Sequence, residues 1–491
     1  MSDNSTSPID DGSLTAANGR ARLSFDLDAD ICVVGAGLAG LTVALCAARQ
    51  GASVAVLEGR HVGWNASGAL VGTVMPGFPL PLPELIERIG LEDAKELWAL
   101  SWAGAEFIRA NATEALMPGM GLSDGVLEVS NADTGDALVR HLQMLAEDFD
   151  TEVEGWPVER VRAALKTDHY FHGMHFPKAF QIDGRNYVHA LARLARRAGA
   201  RIFEDTPVVS IDFSGVRKRI VTPSARLRAT HIVLAGNIHL GAPLRRLSDT
   251  LLPVWRYGGI TAPLGAQLAE AIDFAGSVSD RDGVDHFRVI DGDRLMWASP
   301  ETTWAARPQR FAGAIQRRIR TVFPQLDRVD ITETFGGATG QTVHGMPQIG
   351  QLRRGLWVAS GFGRQGLNTS AMAGQLIASG ILGGDDRWRL FSPFELVWAG
   401  GITGRVAGHA VGLWTRGSSA VAGTLARRRE RLRAKELARE AQLAEADRMA
   451  ALLRPAPPQR NPAGRPRPLR PQPPDLVDHR QSEDAEPGPP A

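Results

Sequence analysis

Three glycines and one acid define the first chemistry written in this sequence. Gly35, Gly37 and Gly40 fall in the run Gly35-Ala36-Gly37-Leu38-Ala39-Gly40, and Glu58 lies 18 residues past Gly40. The first glycine permits a tight turn. The second lets backbone come close to a pyrophosphate, and the third lets a helix pack on a strand. A helix starting here aims free N–H groups and the positive end of its dipole at phosphate. The acid at 58 accepts hydrogen bonds from ribose hydroxyls and disfavours a 2′-phosphate.

The elements that must hold these residues surround them. Ile31-Cys32-Val33-Val34 is an apolar, β-branched run that reads as a buried strand. Residues 38–50 are apolar and Ala-rich, a helix stopped by Gly51, and residues 53–57 form a second strand. Strand, glycines, helix, strand and acid in that order point to a dinucleotide site. The plainer alternative is a Gly-rich turn in some other α/β protein.

This stretch, together with two later loops, resembles the FAD-dependent amine and amino-acid oxidoreductases of the D-amino-acid oxidase superfamily, with the gamma-glutamylputrescine oxidase-like branch first. The likeness rests on Val62-Gly63-Trp64-Asn65-Ala66-Ser67-Gly68, and on Gly361-Phe362-Gly363-Arg364-Gln365-Gly366-Leu367-Asn368 near the far end. It covers about residues 30–382. The resemblance implies that Gly59, Ala66, Ser67 and Gly68 lie along a flavin. It also implies that the second loop opens the last long helix beside the flavin, that Val208 meets the adenine, and that Gly236 makes a second close approach to the dinucleotide.

The implied fold is α/β, α+β overall: a Rossmann-like FAD-binding domain with an inserted antiparallel-sheet substrate domain. On that basis residues 30–80, 150–245 and 330–390 are expected to form the FAD domain, and 81–149 and 246–329 the substrate domain. Residues 1–29 read as a disordered lead, 391–453 as a C-terminal helical extension, and 454–491 as a disordered Pro/Arg-rich tail. Helices are expected over 82–110, 134–149, 186–199, 307–323 and 367–382, and strands over 125–129, 201–204, 208–211, 230–234 and 356–360. Asp291-Gly292-Asp293 splits 286–290 from 294–298 as a hairpin.

The chemistry implied by the resemblance is hydride removal from the carbon beside an amine, giving an imine that water hydrolyses. Electrons then pass to oxygen, or to a quinone or protein. The segment 334–350 resembles a family stretch without gaps, with Gly337, Thr342, Pro347, Ile349 and Gly350 matching, Phe335 in place of Trp and His344 in place of Asp. Thr339 stands where glycine- and D-amino-acid-oxidising members carry Arg. A guanidinium there clamps an α-carboxylate in a bidentate fork, and Thr cannot. This favours an amine, N-substituted amine or acylated polyamine, unless Arg364, Arg288 or Arg256 supplies the charge. Asn65 occupies the position of the flavin-linking His of related branches, so FAD is expected to be non-covalent; His61 reads as a polar loop residue. Gln365, where the family often carries His, cannot act as acid or base.

Arg364, Gln365 and Thr339 are the catalytic candidates, Arg364 to stabilise negative charge on the reduced ring or else to make a surface ion pair. His344 reads as a packed polar residue before it reads as a base. Arg288, Tyr257 and Trp297 are candidates for the substrate site, the two aromatics as a cage for a cationic or apolar group, with core packing as the alternative.

Composition bounds the rest. The 491 residues suffice for two full cores, and 44% hydrophobic with 22% charged residues describe an ordinary globular protein. A net charge of +1 argues against general nucleic-acid binding. The two cysteines, Cys32 and Cys46, fall in the first strand and helix as small apolar residues, which fits a reducing, cytoplasmic compartment. The 12 histidines show no metal-ligand spacing, and no run of 18 apolar residues predicts a spanning helix. Residues 425–453 read as a long charged helix, solvated or, alternatively, docking to a partner or a membrane surface. Two other functions stay open: a D-amino-acid or glycine-type dehydrogenase feeding a quinone or protein, and a flavin-bound interaction protein whose site has decayed at Phe335, Thr339 and Gln365.

Overall fold

The computed structural model describes residues 21–453 apart from 70, 114–115, 242–243 and 281–282. It divides into two units, residues 1–430 and 431–491. In the second, the described residues complete a helix, Gly401–Leu453. Most of the expected lead, and all of the expected tail, lie outside the described residues.

The first unit is built on two sheets. One has the order Gln348–Arg353, Leu356–Ser360, Arg226–Leu234, Leu27–Val34, Val54–Leu57, Arg201–Phe203. Its last five strands run parallel. Val54–Leu57 is buried at every position, as expected of a strand covered on both faces. The helix Leu38–Arg49 crosses one face and packs beside Gly366–Leu382 and Gly184–Arg197. Small residues make that contact close: a Cβ on Gly374 would lie 2.4 Å from Thr42 Cβ.

The second sheet has the order Ile331–Gln341, Leu252–Thr261, Arg294–Ala298, His286–Ile290, Ser277–Asp280, Ser123–Val129, Gly173–Gln181, Thr73–Val74. It is antiparallel except between Ser277–Asp280 and Ser123–Val129. The hairpin around Asp291-Gly292 has the bounds read from the sequence. One face carries Tyr257, Phe287, Leu295 and Trp297 into a core closed by the helix Ala312–Val322. The other face looks toward the dinucleotide sheet.

Four expectations change. Leu23 is fully buried and its N–H donates to Thr206 Oγ1 at 3.2 Å, so the described end of the lead is part of the fold. The helix expected over 82–110 is two, Leu82–Ile89 and Leu91–Asn111, parted by Gly90 at φ +83°. Val208 precedes the strand Ser210–Asp212 rather than belonging to it. Finally, Glu154–Trp156, Gly173–Gln181 and Ile331–Gln341, placed with the FAD domain on sequence, pair in the second sheet. Such pairing joins separate stretches of chain, so local pattern carries no sign of it.

Candidate active site

The glycine run does what its spacing requires. Gly35 turns out of the first strand at φ +107°, and a Cβ there would lie 2.8 Å from Ala235 O. A Cβ on Gly40 would lie 2.1 Å from Gly35 O, so only glycine lets the helix start this close to the strand. Glu58 is buried. Its Oε2 accepts the Ala36 N–H at 2.8 Å, and its Oε1 accepts the Arg60 N–H at 2.9 Å. Burial raises its pKa, and these backbone donors work against that rise.

A cleft of about 580 Å³ opens over this turn. Gly35, Gly37, Leu38, Ala39, Glu58, Gly59, Ala66, Ser67, Val208 and Gly236 all border it. Ala36 and Gly40 do not border it; they support Glu58 and Gly35 through the contacts just given. Sequence reasoning did not single out Asn237 and His239, which also line it.

The loop over residues 62–68 is tied down at two points. Ser67 Oγ accepts the Leu38 N–H at 3.2 Å, over the helix start. The Asn65 amide makes a two-point bond to Ala338, Nδ2 to O and N to Oδ1, each 2.9 Å. Asn65 thus anchors the loop to the substrate strand. Gly337 is needed at that approach, since a Cβ would lie 2.8 Å from Ala66 Cα. Gly68 allows the loop its own turn, with Gly63 O 2.2 Å from where its Cβ would be. The cradle of glycines, the free helix terminus and the buried acid fit an adenine dinucleotide.

The second loop is shared between two clefts. Phe362 and Ser370 border the dinucleotide cleft. Arg364, Gln365 and Asn368 border another, of about 430 Å³. Gly361 and Gly363 make the loop possible at φ +74° and +57°, and Gly366 and Leu367 begin the closing helix. Asn368 Nδ2 donates to Gly77 O at 3.2 Å. Gln365 Oε1 is buried beside Gly77 and has no hydrogen-bond partner among the described residues.

Strand alternation decides which of the remaining candidates reach the site. Tyr257 and Trp297 do not. Trp297 stacks on Phe287 with centroids 4.4 Å apart, and Tyr257 stacks on Phe311 at 4.2 Å and accepts the Ala306 N–H at 2.6 Å. Both lie on the core face, because odd and even residues of a strand point to opposite sides. Arg288 lies on the site face but borders a third cleft, with Trp64, Gly68 and Phe335. Thr339 shares that face, yet borders none of these described clefts. His344 is packed: Nδ1 accepts the Met346 N–H at 3.1 Å and Nε2 lies 3.2 Å from Glu395 O.

The residue the second cleft brings forward is Arg256. It pairs with Gly337 across the strands, while Val254 pairs with Thr339, so Arg256 is the diagonal neighbour of position 339 on the same face. Its Nη1 lies 3.3 Å from His286 Nδ1 and its Nη2 3.4 Å from Glu301. Arg364 reaches the same Glu301 at 4.0 Å. Arg256 Nε is buried without a partner among the described residues. Burial, then the Arg256, Arg288 and Arg364 charges, press the His286 pKa down to about 3, so the ring is neutral. With Nδ1 facing a cationic donor, Nε2–H donates to Thr73 Oγ1 at 2.6 Å.

Across the cleft, Asp280 is pushed up to about 7 by burial and by the charge of Asp285. Asp285 is fully buried and held by Arg318 at 2.5 and 2.7 Å and by Tyr170 Oη at 2.9 Å. The apolar wall includes Met75, Phe78, Trp98 and Phe176. Register from Gly337 alone would have pointed to Arg256. Asp280 and Glu301 carry no local signal. Among the described residues no group of His, Cys, Asp and Glu is arranged to hold a metal.

Comparison with known proteins agrees with this geometry. The DAO family, described as FAD dependent oxidoreductase, matches residues 30–379. A probable oxidoreductase OrdL of Haemophilus influenzae is 26% identical over 375 residues, 75% of this chain and 86% of that one. The gamma-glutamylputrescine oxidoreductase of Escherichia coli K12 is 25% identical over 394 residues, 79% of this chain and 92% of that one. The crystal structure of glycine oxidase from Geobacillus kaustophilus superposes with a TM-score of 0.61 at 22% identity, over 76% of this chain and 99% of that one. The chain belongs to the DAO family of FAD-dependent oxidoreductases, and FAD is its cofactor.

Proposed function

We propose that the chain oxidises the C–N bond of an amine or N-substituted amine whose anionic group lies well away from the oxidised carbon, as in an acylated polyamine of the gamma-glutamylputrescine kind. The observation that carries this reading is the exchange at the substrate strand: Thr339 in the family's clamp position, and Arg256 one strand over on the same face. A diagonal step across strands moves the cation by about 7 Å. That is too far for an α-carboxylate and an oxidised α-carbon to be served together.

FAD, when bound, supplies the hydride acceptor. The chain's own residues support the rest. Arg256 and Arg364 hold an anion and raise the positive potential of the cleft, which disfavours an ammonium there; the neutral amine is the better hydride donor. The Met75, Phe78 and Trp98 wall accommodates a methylene chain and excludes water. Gln365 Oε1 offers an acceptor to an N–H. The acceptor of the electrons is oxygen in this reading, with a quinone or protein as the alternative. The free thiols Cys32 and Cys46 support a cytoplasmic place.

Anaerobic mixing of the holoenzyme with gamma-glutamylputrescine, putrescine, sarcosine, glycine and D-alanine tests this. Bleaching of the flavin band by the acylated amine and not by glycine or D-alanine is expected. Bleaching by the two amino acids would overturn the substrate class. Peroxide in air would identify oxygen as the acceptor.

A further inference from the structure

The C-terminal helix is amphipathic the wrong way round for a globular protein. Its inner face over residues 401–430 is polar or small. Arg405 Nε and Nη2 donate to Thr303 O at 3.1 and 2.9 Å, and Arg416 Nη1 donates to Glu301 O at 3.0 Å. Arg162 and Glu430 pair in a fork at 2.6 and 2.9 Å. Gly408 and Gly423 bring the helix down onto the body, their absent Cβ atoms 3.0 Å from Leu252 Cδ2 and 2.7 Å from Asn131 O. The apolar residues point outward instead. Trp398, just ahead of the helix, and Ile402, Val406, Leu413, Trp414 and Val421 along it are 53–79% exposed. Their spacing places the helical ones on one broad stripe. A stripe of this kind, on an element already anchored by its other face, marks an interaction surface.

The charge around the stripe selects the partner. From Val397 to Arg429 the sequence holds no Asp or Glu and five arginines, of which Arg405, Arg416 and Arg427 turn inward to backbone carbonyls of the body. Arg428 and Arg429 are exposed where the stripe ends. Two copies of the chain meeting here would oppose Arg428 and Arg429 with no carboxylate on the outward face of 398–429 to pair them. An anionic lipid surface answers both features: its acyl boundary takes the apolar stripe and its headgroups take Arg428 and Arg429. No described helix is long and apolar enough to cross a membrane, so the mode of attachment is lying on the surface. We propose that the outward face of residues 398–429 docks this enzyme on an anionic membrane surface. The inference stands apart from the substrate reading, since none of the outward residues it rests on borders a cleft.

Co-sedimentation of the full-length holoenzyme with phosphatidylcholine vesicles, with and without phosphatidylglycerol, tests it. Binding to the anionic vesicles is expected. The double variant Ile402→Glu/Trp414→Glu should weaken it by about tenfold or more, with flavin content and melting temperature unchanged. Val216→Glu, at a side chain 78% exposed elsewhere on the surface, should not. Equal sedimentation of the double variant and wild type, or no binding to either vesicle, overturns the proposal. So does a dimer in solution that Trp414→Glu dissociates while vesicle binding is absent, which would assign the face to a second copy.

Discussion

The dinucleotide cradle and the substrate sheet solve different problems, and the sequence records them differently. The cradle is local. Gly35, Gly37, Gly40 and Glu58 lie within one βαβ unit; backbone contacts exclude a side chain at Gly35 and Gly40, and the Ala36 N–H holds Glu58. The substrate face is assembled from strands brought together from the whole chain. Its composition depends on register, and a residue's role there changes with the side of the strand it occupies. One region is specified by residue identity. The other is specified by pairing.

Substitutions should therefore act differently in the two regions. Gly40→Val has the largest expected effect. Its Cβ would lie 2.1 Å from Gly35 O, with no flexible side chain to yield. A loss of about 3 kcal/mol and purification without a flavin band are expected. A variant with full flavin content would show that the cradle tolerates what its geometry forbids.

On the substrate face, Arg256→Met should leave flavin bound and lower kcat/KM by about 100-fold for a substrate carrying an anion, because it removes a charge-assisted fork. Arg256→Lys should rescue only partly, since an ammonium cannot reproduce the fork. An unchanged rate in the Met variant would move the anion site elsewhere on the sheet.

Asp280 separates the regions by pH. Its carboxyl titrates near 7 in the fold and near 3.8 as an ordinary aspartate. Between those values the folded state holds the extra proton, so stability from this group falls as pH rises from about 4 to about 7 and stays lost above. Asp280→Asn should flatten that part of a melting-temperature profile against pH. A profile of unchanged shape would contradict the assigned burial. The smallest effect belongs to Tyr257→Phe. It removes the acceptor of the Ala306 N–H on the core face, so about 1 kcal/mol of stability should go with no change in substrate preference. A changed preference would return Tyr257 to the site.

What the sequence made legible shows the same division. The turn, the helix Leu38–Arg49 and Glu58 could be read, because they form a contiguous run with a fixed spacing. Trp297 and Tyr257 take the core-packing alternative. Aromatic type says nothing about which face of a strand a side chain takes, and the stack on Phe287 is visible only once two strands are paired. Arg256 was one of three cations with equal claim until register set it diagonal to Thr339. Glu301, which joins Arg256 to Arg364, sits in a loop with no pattern to mark it. The membership of Gly173–Gln181 in the second sheet was beyond reach for the same reason.

In the proposed function Arg256, and not position 339, holds the anion of the substrate. The sharpest test is anaerobic titration of the flavin absorbance in wild type and Arg256→Met, with gamma-glutamylputrescine and with putrescine. The acylated amine should lose about 100-fold in apparent affinity or reduction rate in the variant, while the change for putrescine, which carries no anion, should be small. Equal losses for both amines, or none for either, would remove Arg256 from that role.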